Sequence, residues 1–176
     1  QSWYVSFDEL APRLGSDALA ESRDEFGIGS LTGVDLPSEK RGILPSSEWK
    51  KRVIGSNWYG GETLIVGIGQ GYMLATPLQL AVATSALATR GTAYKPNVVA
   101  SVAGTALPLE PLLDVTAPAN YWNEVVAGMV DTVFSPRGTA AGMRTGITYS
   151  VAGKTGTAQV VGIAQDATYD EDLLSE

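Results

Sequence analysis

The chain has 176 residues, enough for a domain with its own core, and 44% of them are hydrophobic against 18% charged, which excludes a disordered segment. A net charge of −7 leaves no basic field to draw in nucleic acid. With no histidine and no cysteine, Ser-His-Asp and Cys-His catalysis, disulfides and most transition-metal sites are excluded. Any nucleophile must therefore be activated by a lysine or a carboxylate, and neither a metal nor a cofactor is implied. No apolar run approaches the roughly 20 residues of a membrane span, and the start does not read as a signal peptide.

Residues 5–14 read as a helix, with Val5, Leu10, Ala11 and Leu14 apolar and Gly15 as its stop. A second helix is expected from Ser16, as N-cap, to about Phe26, ending at Gly27. Residues 27–63 carry many glycines and prolines and read as a long ordered loop with short helical turns. A loop of that length in a compact domain usually has a job. The glycines in Gly67-Ile68-Gly69-Gln70-Gly71-Tyr72 do not make a dinucleotide fingerprint, because Tyr72 stands where glycine is required.

Thr76-Pro77-Leu78-Gln79 is a capping box, with Thr76 at N-cap, Pro77 at N1 and Gln79 at N3. The helix it opens is expected to reach Arg90 and stop at Gly91, about 21 Å long. Its residues leave almost no polar face, so burial on most sides is expected, notably of Leu80, Val82, Ala83, Ala86 and Leu87. Residues 93–103 read as a strand or hairpin arm, and 104–119 as an irregular proline-rich link. Asn120 opens a further helix. Its apolar residues Trp122, Val125, Val126, Met129, Val130 and Val133 form one stripe, and Ser135-Pro136-Arg137-Gly138 ends it.

Residues 148–161 are then expected to form a strand of an antiparallel sheet. Ile147, Tyr149 and Val151 alternate ahead of Ala152-Gly153-Lys154-Thr155-Gly156-Thr157-Ala158-Gln159-Val160. On a strand, Thr155 and Thr157 point to one side, and Gly156 lets another backbone approach. Two hydroxyls, a strand edge and a nearby ammonium suit a peptide-like ligand with a carboxylate. Gly153-Lys154-Thr155 also mimics the end of a P-loop, but Thr148 replaces the first glycine and no helix signal follows. The tail from Asp166 is acidic and carries no strand signal.

Taken together, these stretches resemble the transpeptidase domain of class B penicillin-binding proteins, on the cell-elongation branch. The resemblance runs through Gly33-Val34-Asp35-Leu36-Pro37, Glu48-Trp49-Lys50, Trp58-Tyr59, Gly67–Tyr72 and Ala75–Gln79. It continues in Gly138-Thr139-Ala140 and ends in Gly153–Gln159. It implies an α+β fold of the penicillin-binding-protein and β-lactamase type, with apolar helices beside an antiparallel sheet. It also implies a reaction: a Ser-x-x-Lys serine opens the D-Ala-D-Ala bond of a peptidoglycan stem peptide, and β-lactams acylate that same serine.

Carried onto this sequence, the resemblance makes Lys154, Thr155 and Gly156 part of the catalytic cleft, and Thr155 and Thr157 the holders of a substrate carboxylate. The Thr157 N–H becomes an oxyanion-hole donor. Lys154 would hold the serine of a Ser-x-Asn motif. Strict strand alternation puts Lys154 opposite Thr155, so that role needs a local twist or a long side chain wrapping the edge. The register of the Ser-x-Asn motif falls on Ser2-Trp3-Tyr4, where the third residue departs from the pattern; Ser6-Phe7-Asp8 is the less favoured alternative. The only Ser-x-x-Lys string, Ser47-Glu48-Trp49-Lys50, lies too far into the loop region to be the nucleophile. Residues 1–176 are therefore expected to be part of a transpeptidase domain, with the nucleophile segment upstream and further strands and a helix downstream. Stem peptides, β-lactams and cell-elongation proteins are the implied partners, and the periplasmic face of a bacterial inner membrane the implied location. A catalytically inert or purely interacting domain of the same fold is the alternative, and a nucleotide-binding module a remote one.

Overall fold

A computed structural model describes residues 4–158. Two helices, α1 (Tyr4–Leu14) and α2 (Ser16–Asp24), open the chain. The long loop follows, carrying α3 (Ser47–Val53) and α4 (Gly60–Gly67). Then come α5 (Pro77–Thr89), β1 (Thr92–Tyr94), β2 (Ser101–Val102), β3 (Thr105–Ala106), β4 (Pro111–Asp114) and α6 (Ala119–Phe134). A 3₁₀ turn at Ala141–Arg144 precedes the Lys-Thr-Gly stretch.

The two strand pairs are separate antiparallel ladders, β1 with β4 and β2 with β3. The mixed α+β character matches the expectation, but the sheets are smaller and differently built. The link at 104–119 supplies two strands, β3 and β4. Pro111 is tolerated because it stands first in its strand, where its missing N–H breaks little of the ladder. Residues 148–158 belong to neither sheet, because no described strand pairs with them. A strand is defined by its partner, and alternation of side chains alone does not provide one. Residues 159–161 of the expected strand, and the acidic tail, lie outside the described residues.

The capping box of α5 forms as the sequence dictates. The Gln79 N–H donates to Thr76 Oγ1 at 3.1 Å, and Thr76 N–H donates to Gln79 Oε1 at 2.9 Å. Arg90 closes the helix in the left-handed conformation. The expected all-round burial fails, however. Val82 and Ala86 pack with Ala93 against Phe26, Leu112 and Leu113, whereas Leu80 is 52% exposed and Leu87 only half-buried. One side of α5 meets β1; its Leu80, Ala81, Thr84 and Ala88 side does not. Trp122 of α6 is buried edge-on against Phe26, at a centroid separation of 6.3 Å, with its ring N–H bonded to Ala117 O. On α6 the expected stripe is buried at Trp122 and Val133 and half-buried at Val126, Met129 and Val130.

At the start of the chain α1 lies against α4 and α2. Ala11 is buried there because Gly67 has no side chain: a Cβ at Gly67 would sit 2.5 Å from that of Ala11. Ser16 does not cap α2. Gly15 takes that position, the Ser16 hydroxyl leans on Asp17, and the helix stops at Asp24 rather than Phe26.

The loop between α2 and α5 is held by polar side chains, several of them buried or half-buried. Gln79, fully buried, donates from Nε2 to Ser30 O at 2.6 Å and to Arg41 O at 2.7 Å. Glu39 accepts the N–H and hydroxyl of Thr32 and the N–H of Gly33, and the Thr32 hydroxyl above all holds its carboxyl below the usual range. Asp35 accepts the N–H groups of Val98 and Val99, which likewise lower its pKa. Arg23 reaches the Val66 carbonyl at the end of α4 at 2.7 Å, and burial lowers its pKa.

Lys50 is the most deeply placed cation, 2% exposed, bonded to both oxygens of Glu62 at 2.5 and 2.7 Å and lying 4.5 Å from the Tyr59 ring centroid. Desolvation works against the charge on Glu62, but hydrogen bonds from Lys50 and the Tyr59 N–H outweigh it and its pKa falls. Trp49 packs on Tyr72 and Trp58 bonds Thr63, so the aromatic stretches singled out in the sequence converge on this one pin.

Candidate functional site

The last two motifs of the sequence meet at the C-terminal half of α6. Gly138 presses against the end of that helix, where any Cβ would collide with the carbonyls of Asp131 and Thr132. Ala140 N–H donates to Thr132 O at 2.9 Å, and Gly138 N–H to Ser135 O at 2.9 Å. Thr132 itself is buried, its hydroxyl spent on Gly128 O within α6. Arg144 donates to Phe134 O, one of the carbonyls a helix end leaves without an internal partner. Thr139 is thus bracketed by two backbone anchors while its own side chain stays exposed.

The second motif is tied to the same helix one turn earlier. Gly153 N–H donates to Met129 O at 3.0 Å, and a Cβ at Gly153 would lie in ordinary contact distance of Val133. From Lys154 to Ala158 every residue is exposed. The Thr155 hydroxyl lies 3.2 Å from that of Thr139, and either can be the donor. Lys154 Nζ donates to Thr155 O at 2.7 Å, so the lysine folds over its own backbone. A Cβ at Gly156 would meet nothing within 4 Å, so the close backbone approach expected there is not made among the described residues.

The result is an open polar ledge with two paired hydroxyls (Thr139, Thr155), a third exposed hydroxyl at Thr157, and a lysine. It can hold an anionic, hydrogen-bonding ligand such as a carboxylate. Among the described residues no cluster of metal-ligating side chains occurs.

To the contiguous run Lys154, Thr155, Gly156 and Thr157 the structure adds Thr139, for which the sequence offered only a place in a motif. Its signal was the Gly-Thr-Ala directly after the end of a helix, but its pairing with a residue 16 positions on is a through-space fact. Ser2 lies outside the described residues. Ser6 is exposed on α1. Ser47 and Lys50 turn to different partners: the Ser47 hydroxyl donates to Asp17 at 2.8 Å, and Lys50 is buried on Glu62. The Ser47 N–H, more than its hydroxyl, lowers the pKa of Asp17. Residues 155–158 form no helix, so within them Thr155 has no helix N-terminus to cradle phosphates.

A family model for the penicillin-binding-protein transpeptidase domain matches residues 1–174. Peptidoglycan D,D-transpeptidase MrdA of Acinetobacter baumannii is 43% identical over 176 residues, covering 95% of this chain and 25% of its own length. The MrdA of Escherichia coli K12 is 36% identical over 177 residues, covering 97% and 28%. Among solved structures, Pseudomonas aeruginosa PBP2 in complex with WCK 5153 aligns with a TM-score of 0.81 at 40% identity, covering 89% of this chain and 36% of that one. PBP2 in its complex with MreC from Helicobacter pylori gives 0.77 at 35%, covering 89% and 28%. The chain spans about a quarter of the length of the curated relatives it matches.

Proposed function

The chain belongs to the penicillin-binding-protein transpeptidase family, and from that premise we propose that it forms the substrate-holding wall of a peptidoglycan D,D-transpeptidase of the elongation type. The observation that carries the reading is the ledge: two motif segments tethered to one helix, with their hydroxyls outward.

Thr155 and Thr157 hold the terminal carboxylate of a D-Ala-D-Ala stem peptide, or the equivalent carboxylate of a β-lactam. The Thr157 N–H faces the oxygen on which charge develops as the carbonyl is attacked. Gly156 keeps the wall open for the ligand backbone. Lys154 supplies positive potential and orients the second serine, for which Ser2 is the favoured candidate. The attacking serine, of Ser-x-x-Lys type, passes its proton to its lysine and bonds the penultimate D-Ala carbonyl. The terminal D-Ala then leaves with a proton, and a neighbouring stem amine takes the acyl group.

The H. pylori relative is seen in complex with MreC. A protein of the same elongation machinery is the corresponding partner here, and the periplasmic face of a bacterial inner membrane the corresponding place. No described helix is long and apolar enough to cross a membrane.

The test is acylation of the complete protein by labelled penicillin. Lys154→Ala and Thr155→Val should each slow it about 10- to 100-fold with the fold intact. Unchanged rates in both would overturn the reading, and a complete protein that never acylates would be the inert alternative. The 176-residue chain alone should bind penicillin without a covalent adduct. A stoichiometric mass increase would return attention to Ser2, Ser6 and Ser47.

A further inference from the structure

We infer that Thr139 is a positioning residue for the Thr155 hydroxyl, setting that hydroxyl as an outward donor toward a ligand carboxylate. The inference rests on the reading of Thr155 as a carboxylate holder.

A hydroxyl carries one proton and two acceptor lone pairs. Between Thr139 and Thr155, 3.2 Å apart, one proton occupies the shared bond. If Thr155 donates to Thr139, its proton is turned inward and only its lone pairs face outward, which repel a carboxylate. If Thr139 donates to Thr155, the Thr155 proton is released to point at the ligand. An anion on the ledge selects that second arrangement. The chain Thr139 to Thr155 to carboxylate is then polarised in one direction, and each bond strengthens the next.

The placement of Thr139 makes this a built arrangement rather than a chance contact. Its neighbours Gly138 and Ala140 are bonded to Ser135 O and Thr132 O, and the space beside Gly138 is filled by α6 backbone. Gly153 ties the Thr155 segment to Met129 O. Both hydroxyls therefore start from fixed backbones, and little side-chain freedom is lost on binding. The threonine methyl groups restrict χ1 further, which favours one mutual orientation.

The experiment compares acylation of the complete protein by a penicillin and by its methyl ester, in Thr139→Val, Thr139→Ser, Thr155→Val and the Thr139→Val/Thr155→Val double variant. Thr139→Val should slow the free acid about tenfold and the ester less than about twofold, at an unchanged melting temperature. Thr139→Ser, which keeps the donor, should stay within about twofold of the parent. In the Thr155→Val background, Thr139→Val should add less than about twofold. If Thr155→Val slows the acid but Thr139→Val does not, the positioning role is wrong and the carboxylate site stands. Equal slowing of acid and ester by Thr139→Val makes the residue merely structural and overturns the inference. If Thr155→Val has no effect, the carboxylate site falls and this inference with it.

Discussion

The loop region 27–76 and the ledge 138–158 are both built largely without regular structure, yet they are held in opposite ways. In the loop region, side chains are spent on the protein's own groups: Gln79 of α5 takes two of its carbonyls, Glu39 and the exposed Asp35 take N–H groups, and Lys50 is buried on Glu62. On the ledge, backbone N–H groups do the holding, from Ala140 and Gly153 onto α6, and the hydroxyls stay outside. A polar side chain spent on its own backbone is unavailable to a ligand. One standing on an anchored backbone is both available and fixed. On the function proposed above, the two regions separate stability from recognition, and that separation can be attacked directly.

The hardest blow to the loop region should be Lys50→Ala. It leaves Glu62 partly buried beside the aromatic rings without its cation, and should cost about 3 kcal/mol in chemical denaturation. The double variant Lys50→Met/Glu62→Gln should recover most of that loss. No recovery would mean that the pair is not the pin. Next comes Gln79→Ala, which removes a fully buried amide from the carbonyls of Ser30 and Arg41 and should cost about 2 kcal/mol by the same measurement.

The carboxylates give the pH dependence. Asp17, Asp35, Glu39 and Glu62 all have folded pKa values below their ordinary ones. Such groups contribute stability that is present above the unfolded values, roughly pH 4, and is lost as pH falls through the folded values. With no histidine in the chain, thermal stability should be nearly flat from about pH 5 to 8 and drop below about pH 4. Glu39→Gln should lower the plateau and shallow the acid drop; parallel profiles would remove Glu39 from the argument. The smallest effect belongs to the ledge. Thr139→Val and Thr155→Val should change unfolding free energy by less than about 0.5 kcal/mol. A larger loss in either would erase the contrast between the regions.

What could be read in the sequence follows the reach of the interactions. The α5 cap spans three residues, and its box forms as Thr76 and Gln79 dictate. The end of α6 at Ser135 was equally local. The strand expected at 148–161 was not, because pairing depends on a partner elsewhere in the chain, and 148–158 find none among the described residues. The burial of Leu80 failed for a related reason. An all-apolar helix says that it can be covered on every side, whereas which side is covered depends on where β1 and β4 run. In the site, Lys154, Thr155 and Thr157 are legible as a motif by resemblance. The Thr139 contact is not, since a stretch of 16 residues separates the two hydroxyls and only α6 brings them together.

Both tethers of the ledge end on carbonyls three residues apart on one rigid helix, Met129 and Thr132. A tilt or slide of α6 therefore acts on the hydroxyl pair in common mode. Such a movement would carry the pair as a unit relative to α1 and α4, leaving the 3.2 Å between Thr139 and Thr155 little changed. On the function proposed above, a grip on a ligand carboxylate would in this way be insulated from small movements of the body that carries it, and only the position of the grip would be left free to vary.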